Sequence, residues 1–334
     1  MTRRHVRAIR GERAEPAARL RTIGRECSCD LRRGVRPLRQ RIRGLRRNCK
    51  LQFHSDTNKT VTTTICFINQ KGGCGKSSSC FHLAGAFARR GDRVLLVDAD
   101  PQGSLSQGFL GSACVENLPP AMTLASLFDD DCGFADLTAL PQPTAFDSIA
   151  IVPANQHLAR HNLPTPERHG MKQLVIREFL ETVSGFDVIL IDCPPNLYLC
   201  SWAAMLATEF VVIPVPPEDF GTQGLRTVHQ AIENARALNL QLRRLGHLIT
   251  RYDGRLLVHH SYSEKLRALY HHNVLDTVVP EASAFKVALA CRQPVTHYSS
   301  RTAAAKITMQ LAQELMDRIV TRRSPPSAVK QQVG

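Results

Sequence analysis

VTTTICFINQKGGCGKSS, residues 61–78, is the stretch that decides the fold of this 334-residue chain. Its first eight residues are β-branched or apolar, which is the composition of a buried strand. A glycine-rich segment follows from Asn69, and apolar residues then recur at helical spacing from Phe81 to Ala88. A strand, a glycine loop and a helix in this order predict a phosphate-binding loop.

The chemistry of such a loop follows from its backbone and two side chains. Glycines let backbone N–H groups curl around phosphate oxygens, and the following helix presents its positive end to them. Lys76 is placed to reach the β- and γ-phosphates, and the Ser77 hydroxyl is placed to ligate Mg²⁺. The predicted cradle consists of Gly72, Gly73, Cys74, Gly75, Lys76, Ser77 and Ser78. Gln70 breaks the ordinary GxxxxGK[ST] pattern, but KGGxGK[ST] is met, with a second lysine, Lys71, at its front.

Two apolar runs lead into acidic residues. RVLLV at 93–97 runs into Asp98 and Asp100, and FDVILI at 186–191 runs into Asp192. Continuous apolar strands are typical of a parallel sheet buried on both faces, whose strand ends carry the ligand site. Acidic residues there hold Mg²⁺ through water or orient an attacking water. A single Asp at a strand end is equally well a helix cap, but three beside a phosphate loop favour the catalytic interpretation.

The quoted motifs together resemble one family. KGGCGKSS, VLLVDADPQG, DVILIDCPPN, VVIPVPPEDFGTQGL and GHLITRYDGR occur in this order and look like the ParA-type ATPases with a deviant Walker A motif, which partition plasmids and chromosomes. The resemblance extends from about residue 62 to about residue 320. It implies a P-loop NTPase fold with a mostly parallel twisted sheet flanked by helices. It also implies an Mg²⁺-dependent ATPase with ATP and Mg²⁺ as cofactors.

The resemblance implies roles for individual residues. Lys71 is implied to cross the dimer interface to the partner subunit's nucleotide, and Asp100 to position the hydrolytic water. Asp98 is implied to support the metal region, and Asp192 to be the Walker B carboxylate that meets Mg²⁺ through water. The implied catalytic set is therefore Lys71, Lys76 and Asp100.

Three further positions depend on the same resemblance. The segment 214–220, which includes Pro216, is implied to lie near the adenine. Cys74 stands where the family usually has valine, and it is either a small filler or, because it lies beside a helix N-terminus, a reactive thiol. AFKVA at 284–288 replaces the family's basic residue before an SEA-like helix, so the set of DNA contacts departs from the family pattern here.

The positive charge is concentrated at the N-terminus. The formal net charge is +14, but residues 1–50 hold 16 Arg and one Lys against four acidic residues, and the rest is nearly neutral. We therefore predict a basic arm at 1–58, an ATPase domain at 59–322 and a flexible tail at 323–334. The arm is not part of the working protein, or a disordered segment that touches nucleic acid phosphates, or a transit peptide.

Alternating apolar patterns predict the order of the elements. Strands are predicted at 63–69, 93–97, 148–152, 187–192, 210–215, 245–250 and 276–279. Helices are predicted at 76–90, 171–183, 199–207, 221–238, 261–271 and 301–320. Alternation of this kind indicates a mostly parallel sheet with helices on both faces. Residues 104–147 are expected to form a partly helical surface insertion.

Several classes of protein are disfavoured by composition. Eleven cysteines include no CxxC pair and partly lie in apolar runs, which indicates buried thiols in a reducing cytoplasm. The histidine pairs at 259–260 and 271–272 lack partners at metal-binding spacing. No apolar stretch is long enough to predict a membrane span, and the first 30 residues lack the core of a secretory signal. Pro325 and Pro326 break any amphipathic membrane helix in the tail.

Three functions compete at this point. In the first, ATP closes a homodimer that binds non-specific DNA on the nucleoid, and a ParB-type centromere-binding partner triggers hydrolysis. The second is a related ATPase that positions or regulates a non-DNA cargo. The third is a redox protein like the nitrogenase iron protein, but Cys114, Cys132 and Cys193 lack the glycine-flanked setting of its cluster ligands. The candidate DNA contacts, which otherwise form a solvated mixed-charge face, are Lys286, Arg292, Arg301 and Lys306.

Overall fold

Seven strands among the described residues form one mostly parallel sheet. The computed structural model describes residues 61–129, 137–217 and 222–324. The strands are β1 (Thr63–Phe67), β2 (Val94–Asp98), β3 (Gln142–Pro143), β4 (Ile149–Val152), β5 (Val188–Asp192), β6 (Phe210–Val215) and β7 (Arg243–Ile249). Their order is β3-β4-β2-β5-β1-β6-β7, and every neighbouring pair is parallel except β3 with β4. The predicted fold class is confirmed.

Helices connect these strands and cover both faces of the sheet, because parallel neighbours require crossover connections. The described α-helices are α1 (Lys76–Arg89), α2 (Ser104–Leu110), α3 (Ser112–Glu116), α4 (Ala125–Phe128), α5 (Val175–Thr182), α6 (Leu199–Ala207), α7 (Thr222–Arg236), α8 (Leu257–Tyr270), α9 (Ser283–Ala290), α10 (Val295–Tyr298) and α11 (Ala303–Arg323). Thr302 caps α11, since its side chain accepts a hydrogen bond from the Ala305 N–H.

Two apolar layers lie on opposite faces of the sheet. Cys66, Leu95 and Ile191 belong to the layer that α5, α6 and α7 cover. Ile65 and Leu96 belong to the layer that α1 and α11 cover. Because successive side chains in a strand point to opposite faces, a slip of one residue would exchange the two layers. Burial on both faces therefore fixes the register of the sheet.

The predicted strand at 276–279 is wrong. The chain there runs beside β7 and forms only isolated bridges, at Val274 and Pro280. The N–H groups of Asp276 and Thr277 donate instead to the two carboxylate oxygens of Glu314 on α11, at 2.7 and 2.8 Å. Because these N–H groups are bonded to the Glu314 side chain, they are not available for a continuous ladder with β7, and no strand forms.

Other boundaries differ in smaller ways. The predicted helix at 171–183 is a 3₁₀ helix over Gly170–Leu174 and becomes α-helical only in α5. The predicted insertion contains α2, α3, α4 and β3, while its residues 130–136, the arm at 1–58 and the tail beyond 324 lie outside the described residues. Within the described part of the chain, no helix is both long and apolar enough to span a membrane.

Candidate nucleotide-binding site

The phosphate loop runs from the end of β1 to the start of α1. Gly73 and Gly75 have φ angles of 69° and 90°, in the left-handed region that glycine adopts without strain. Gly75 directly precedes α1, and Thr250 Oγ1 donates a 2.8 Å hydrogen bond to the Cys74 carbonyl oxygen. The sequence folds here into a tight turn before a helix N-terminus, which is the arrangement that binds phosphate.

Lys76 is buried inside this loop, with 6% of its surface exposed. Its Nζ donates to the carbonyl oxygens of Asn69 and Lys71, both at 3.1 Å, and lies 3.7 Å from the Cys74 Sγ. A buried ammonium group needs such acceptors, because an unpaired charge in an apolar surrounding is costly. The loop thus holds the lysine head group on its own carbonyl oxygens.

Lys71 occupies a different position. Its side chain is exposed, and its backbone N–H donates to Asn69 Oδ1 at 3.1 Å. Asn69 Nδ2 donates to the Pro214 carbonyl oxygen at 2.7 Å and so fastens the loop to β6. Lys71 is not among the residues that line the cavity beside the loop. The two lysines of the motif therefore lie in different surroundings.

A cavity of about 520 Å³ lies beside the loop. Loop residues 72–79 line it together with Asp100 and Gln102. The rest of the lining includes Thr250 and Arg251 from the segment after β7 and Glu281 from the segment before α9, and we call these two segments the opposite side. The cavity thus joins the predicted cradle to the predicted hydrolytic carboxylate.

Asp98 ends β2 as a completely buried carboxylate. Its Oδ2 accepts hydrogen bonds from the Ser106 hydroxyl at 2.6 Å and from the Ser106 N–H at 2.8 Å, and its Oδ1 accepts from the Asp100 N–H at 3.1 Å. Burial raises the pKa of Asp98, while the hydrogen bonds from Ser106 oppose the rise. Asp98 therefore orders the turn that leads to Asp100.

Asp192 ends β5 and is the register partner of both Phe67 on β1 and Asp98 on β2. Both of its carboxylate oxygens are buried, and neither has a partner with good hydrogen-bond geometry. Burial raises the pKa of Asp192 well above its usual range, and the Ser77 hydroxyl lies close enough to oppose that rise. A buried carboxylate without partners fits a cation, and oxygen ligands are those that Mg²⁺ prefers.

Asp100 lines the cavity, and one of its carboxylate oxygens accepts a backbone hydrogen bond. Its Oδ1 accepts a hydrogen bond from the Gln102 N–H at 2.9 Å. Only 8% of the residue is exposed, and burial raises the pKa of its carboxyl group. The position and the fixed orientation are those expected of a group that orients a water molecule in the cavity.

Cys74 is a buried filler in this structure. No part of the residue is exposed, and burial raises the pKa of its thiol despite the nearby Lys76. A thiol of this kind is mostly protonated at neutral pH, whereas reactivity requires the thiolate. Between the two predicted alternatives, the surroundings of Cys74 favour packing. Of the cysteines considered for a cluster, Cys193 is buried, Cys114 is exposed and Cys132 lies outside the described residues.

The side of the cavity opposite the loop was not predicted. Arg251 has a φ of 53°, and its Nη1 donates to the Gly73 carbonyl oxygen at 3.3 Å. Its Nε also donates to Glu281 at 3.2 Å, and Glu281 in turn pairs with Lys286 at 2.6 Å. The TRYDGR motif and the departure at 284–288 marked these stretches in the sequence. Neither of these sequence features showed that the segment after β7 and the segment before α9 pair with each other beside the phosphate loop.

The remaining predicted site residues lie elsewhere. Pro216 is buried just after β6 and is not among the residues that line the cavity. Of the four candidate DNA contacts, Lys286 lines the cavity, and the Arg292 guanidinium packs against Gly111. Arg301 lies just before α11 and Lys306 near its start, and both are exposed. Contact of the four residues with DNA stays a prediction.

The histidine pair at 259–260 has a structural role. His259 Nδ1 accepts from the Asp253 N–H at 2.8 Å, and the two ring nitrogens of His260 contact the Tyr252 hydroxyl at 2.9 Å and the Gly254 carbonyl at 2.8 Å. These contacts fasten the loop after β7. Across residues 61–129, 137–217 and 222–324, no group of three potential metal-ligating side chains is assembled.

Comparisons with known proteins identify the family. A model described as an AAA domain matches residues 62–243. The chromosome-partitioning ATPase Soj of Thermus thermophilus is 34% identical over 259 residues, which cover 76% of this chain and 96% of Soj. This chain belongs to the ParA/Soj family of ATPases. The chromosome partitioning protein ParA of Caulobacter vibrioides is a further relative. It is 30% identical over 258 residues, which cover 76% of this chain and 94% of that protein.

Solved structures of other P-loop ATPases have the same fold as this ParA/Soj-family chain. MinD, the septum site-determining protein of Pyrococcus horikoshii complexed with Mg-ADP, superposes with a TM-score of 0.60 at 25% identity, over 79% of this chain and 100% of MinD. Cobyrinic acid a,c-diamide synthase of Mycobacterium smegmatis with bound ATP analog and magnesium superposes with a TM-score of 0.65 at 24% identity, over 80% and 99%. The predictions of the family and of an ATPase are confirmed.

Proposed function

We propose that this partition-type ATPase binds ATP and Mg²⁺ beside its phosphate loop, closes into a homodimer on ATP, and hydrolyses ATP when a partner stimulates it. The observation that carries the site is Asp192, whose two buried oxygens have no well-formed hydrogen bond and which lies close to the Ser77 hydroxyl of the loop. The relatives that superpose with bound nucleotide and magnesium support the same cofactors.

Binding would use the groups that the loop already presents. The N–H groups of residues 72–78 would contact phosphate oxygens, and the Lys76 ammonium would exchange its carbonyl acceptors for the phosphates. The Ser77 hydroxyl would hold Mg²⁺ directly, and Asp98 and Asp192 would hold it through water. Bound Mg²⁺ would neutralise charge that develops on the transferred phosphoryl group.

Hydrolysis would depend on Asp100. The Gln102 N–H holds its Oδ1, so the carboxylate presents its other oxygen in a fixed direction. That oxygen would accept a hydrogen bond from the attacking water and orient it, and positioned groups of this kind contribute roughly 10²–10⁴ in rate. Asp98 supports the same turn because its Oδ1 accepts from the Asp100 N–H.

The placement of Lys71 supports the proposed homodimer. Its exposed side chain lies outside the lining of its own cavity, while Lys76 already occupies the centre of the loop. A cation in this place would act on the nucleotide of a second subunit and stabilise charge there in trans. Two subunits would then face each other with two nucleotides between their phosphate loops.

The partition role would add two partners. The names of Soj and ParA describe chromosome partitioning, which supports DNA as one partner. The motif resemblance adds a ParB-type centromere-binding protein as the other and, with non-specific DNA binding, a cytoplasmic position on the nucleoid. The proposal assigns the ATPase to residues 59–322 and leaves the basic arm and the tail outside it. The alternative is a family member that positions a non-DNA cargo, and it would show ATP-dependent dimers without ATP-dependent DNA binding.

The replacement Asp100→Ala tests the site. ATP binding should persist, hydrolysis should fall at least about a hundredfold, and dimers with trapped ATP should accumulate on DNA. Nucleotide binding, phosphate release and sedimentation measure the three effects. Asp147→Ala, which removes an exposed carboxylate outside the cavity, is the matched control. Wild-type turnover in Asp100→Ala would remove this residue from the mechanism.

A further inference from the structure

Three arginines at the amino end of β7 have no carboxylate partner. Arg243 and Arg244 are the first residues of β7, and Arg322 lies in the last turn of α11. Among the ion pairs of the described residues, none includes these three side chains. By contrast, Arg323, the residue after Arg322, does form an ion pair with Glu209. We call Arg243, Arg244 and Arg322 the arginine surface.

The charges of this surface are close enough to repel. Burial lowers the pKa of Arg322, and the positive charges of Arg318, Arg244 and Arg243 lower it further. Arg244 Nε is buried without a hydrogen-bond acceptor. Arg322 reaches only the side-chain oxygen of Asn273, at 3.4 Å. Like charges in partly buried positions repel each other and so oppose folding. A bound anion would reduce this electrostatic repulsion between the arginines.

The acidic groups nearby are already engaged. Glu314 pairs with Arg318 at 2.9 Å and also accepts two backbone N–H groups. Asp276 pairs with Arg318 and with Arg267. Asp317 accepts from the Gln313 amide at 2.7 Å. A depression of about 700 Å³ borders this region, and its lining includes Arg318, Arg322 and His272 together with these same three carboxylates. The local excess of positive charge therefore remains open to an outside partner.

We propose that the arginine surface binds the phosphate backbone of duplex DNA, which makes it the DNA contact of the partition ATPase; this inference rests on the proposed function. Guanidinium groups match phosphate oxygens with paired N–H donors, and contacts to phosphates position a protein on DNA without reading its sequence. This location differs from the candidate contacts Lys286, Arg292, Arg301 and Lys306, of which Lys286 is held by Glu281.

The surface lies far from the nucleotide cavity. β7 has seven residues, and Thr250 and Arg251, which directly follow it, line the cavity. At about 3.3 Å per residue, the two ends of the strand are roughly 20 Å apart. Changes at Arg243 and Arg244 should therefore leave nucleotide binding and basal hydrolysis as they are, and this separates the surface from the catalytic machinery.

The test is the salt dependence of binding to duplex DNA of random sequence, with ATP and the full chain. The triple replacement Arg243→Gln, Arg244→Gln, Arg322→Gln should lower the slope of log affinity against log salt by about 2 to 3, because each lost phosphate contact removes about 0.9. Arg→Lys at the same three positions should restore most of the slope, since a point charge still contacts a phosphate. Basal ATP hydrolysis should match the wild type in both.

A matched control replaces three arginines that have carboxylate partners, Arg90, Arg160 and Arg177, by Gln. Its slope should equal that of the wild type. An unchanged slope in the Arg243/Arg244/Arg322 variant would overturn the surface and leave the proposed function standing. A wild-type chain that binds no DNA would overturn both. Binding to phosphatidylglycerol vesicles that needs the three arginines, with DNA binding independent of them, would assign the surface to lipid and overturn the proposal.

Discussion

The two sides of the nucleotide cavity are built in different ways. The loop side is one continuous stretch, residues 69–79, and its conformation depends on Gly73, Gly75 and the inward Lys76. The opposite side contains Arg251 and Glu281, which are distant from the loop in sequence and form an ion pair with each other. Its contacts with the loop are hydrogen bonds from Arg251 and Thr250 to loop carbonyl oxygens. Backbone geometry fixes the first side, and exposed side chains fix the second.

This difference indicates where each side tolerates change. In the proposed function the loop groups would contact phosphate directly, so a single replacement there would remove a group that binds or hydrolyses ATP. Exposed ion pairs contribute little free energy, because solvent screens them and long side chains lose freedom in forming them. The joint between the two sides is His82 on α1, whose Nδ1 accepts from the Val295 N–H and whose ring packs on Phe285. We therefore expect the largest effects at the loop, smaller ones at the joint and the smallest across the cavity.

The largest effect should come from Lys71→Ala. Nucleotide binding by the monomer should persist, while the ATP-dependent dimer and stimulated hydrolysis should be lost, because a cation supplied in trans is worth roughly 10³–10⁵ in rate. Lys76→Ala should instead weaken nucleotide binding itself. Fluorescent-nucleotide titration, light scattering and phosphate release distinguish the two variants.

Mixing Lys71→Ala with Asp100→Ala subunits tests the trans geometry. A mixed dimer contains one site with an intact Asp100 and an incoming Lys71, so part of the activity should return. Lys265→Ala, which removes an exposed lysine of α8, should behave as wild type. Mixed dimers that form without recovering activity would show that Lys71 acts within its own subunit.

The joint should make stability depend on pH. Burial lowers the pKa of His82 from 6.5 to about 4, so the unfolded chain binds a proton that the folded chain excludes. Stability is then complete above about pH 6.5 and falls as the pH decreases to about 4, by about 3 kcal/mol in total. Urea unfolding at a series of pH values measures this slope.

His82→Asn should flatten that slope, because its side-chain oxygen can accept from the Val295 N–H but does not titrate. His272→Asn changes an exposed histidine and should keep the wild-type slope. His229, His247 and His297, whose pKa values are also lowered by burial, contribute to both curves alike, so the difference between the wild-type and His82→Asn curves reports His82. Parallel curves for wild type and His82→Asn would show that the joint carries no pH dependence.

The smallest effect should come from Glu281→Gln. It keeps the shape of the side chain and removes the charge that pairs with Arg251 and Lys286. Because these groups are exposed, we expect a change of about 0–1 kcal/mol, that is at most about fivefold in nucleotide affinity, and less at high salt. Glu233→Gln, which breaks a pair with Arg236 on α7, controls for loss of charge. A loss of a hundredfold would mean that the opposite side contacts the nucleotide chemistry directly.

The sequence predicted the parts of the site that are local. A glycine loop between a strand and a helix has few possible conformations, so the loop and the helix after it could be predicted from residues 61–78 alone. The hydrogen bonds of Lys76 to its own loop carbonyls were not predicted. Asp98 and Asp192 were predicted at one edge because parallel strands align their carboxyl ends, and their register pairing agrees. Local steric rules are enough to predict the loop, and strand direction is enough to predict that Asp98 and Asp192 lie at the same edge of the sheet.

The parts that depend on distant side chains could not be predicted. The strand expected at 276–279 was lost to Glu314, some 37 residues later in the chain, which accepts the N–H groups that a strand would have used. The contact of Arg251 with the loop required a φ of 53° in a non-glycine residue, which no composition rule indicates. The charge excess of the arginine surface likewise appears only when β7 and α11 are brought together.

The inward Lys76 has a consequence for the free energy of filling and emptying the site. Its ammonium group rests on the carbonyl oxygens of Asn69 and Lys71, so in the proposed function an arriving phosphate would replace acceptors that are already in place. Such a substitution exchanges one set of hydrogen bonds for another, and only the difference between them contributes to affinity. The departing product leaves behind a loop whose charge is again satisfied from within. A protein that must cycle repeatedly between loaded and unloaded forms gains from this, because neither form contains a bare buried ammonium.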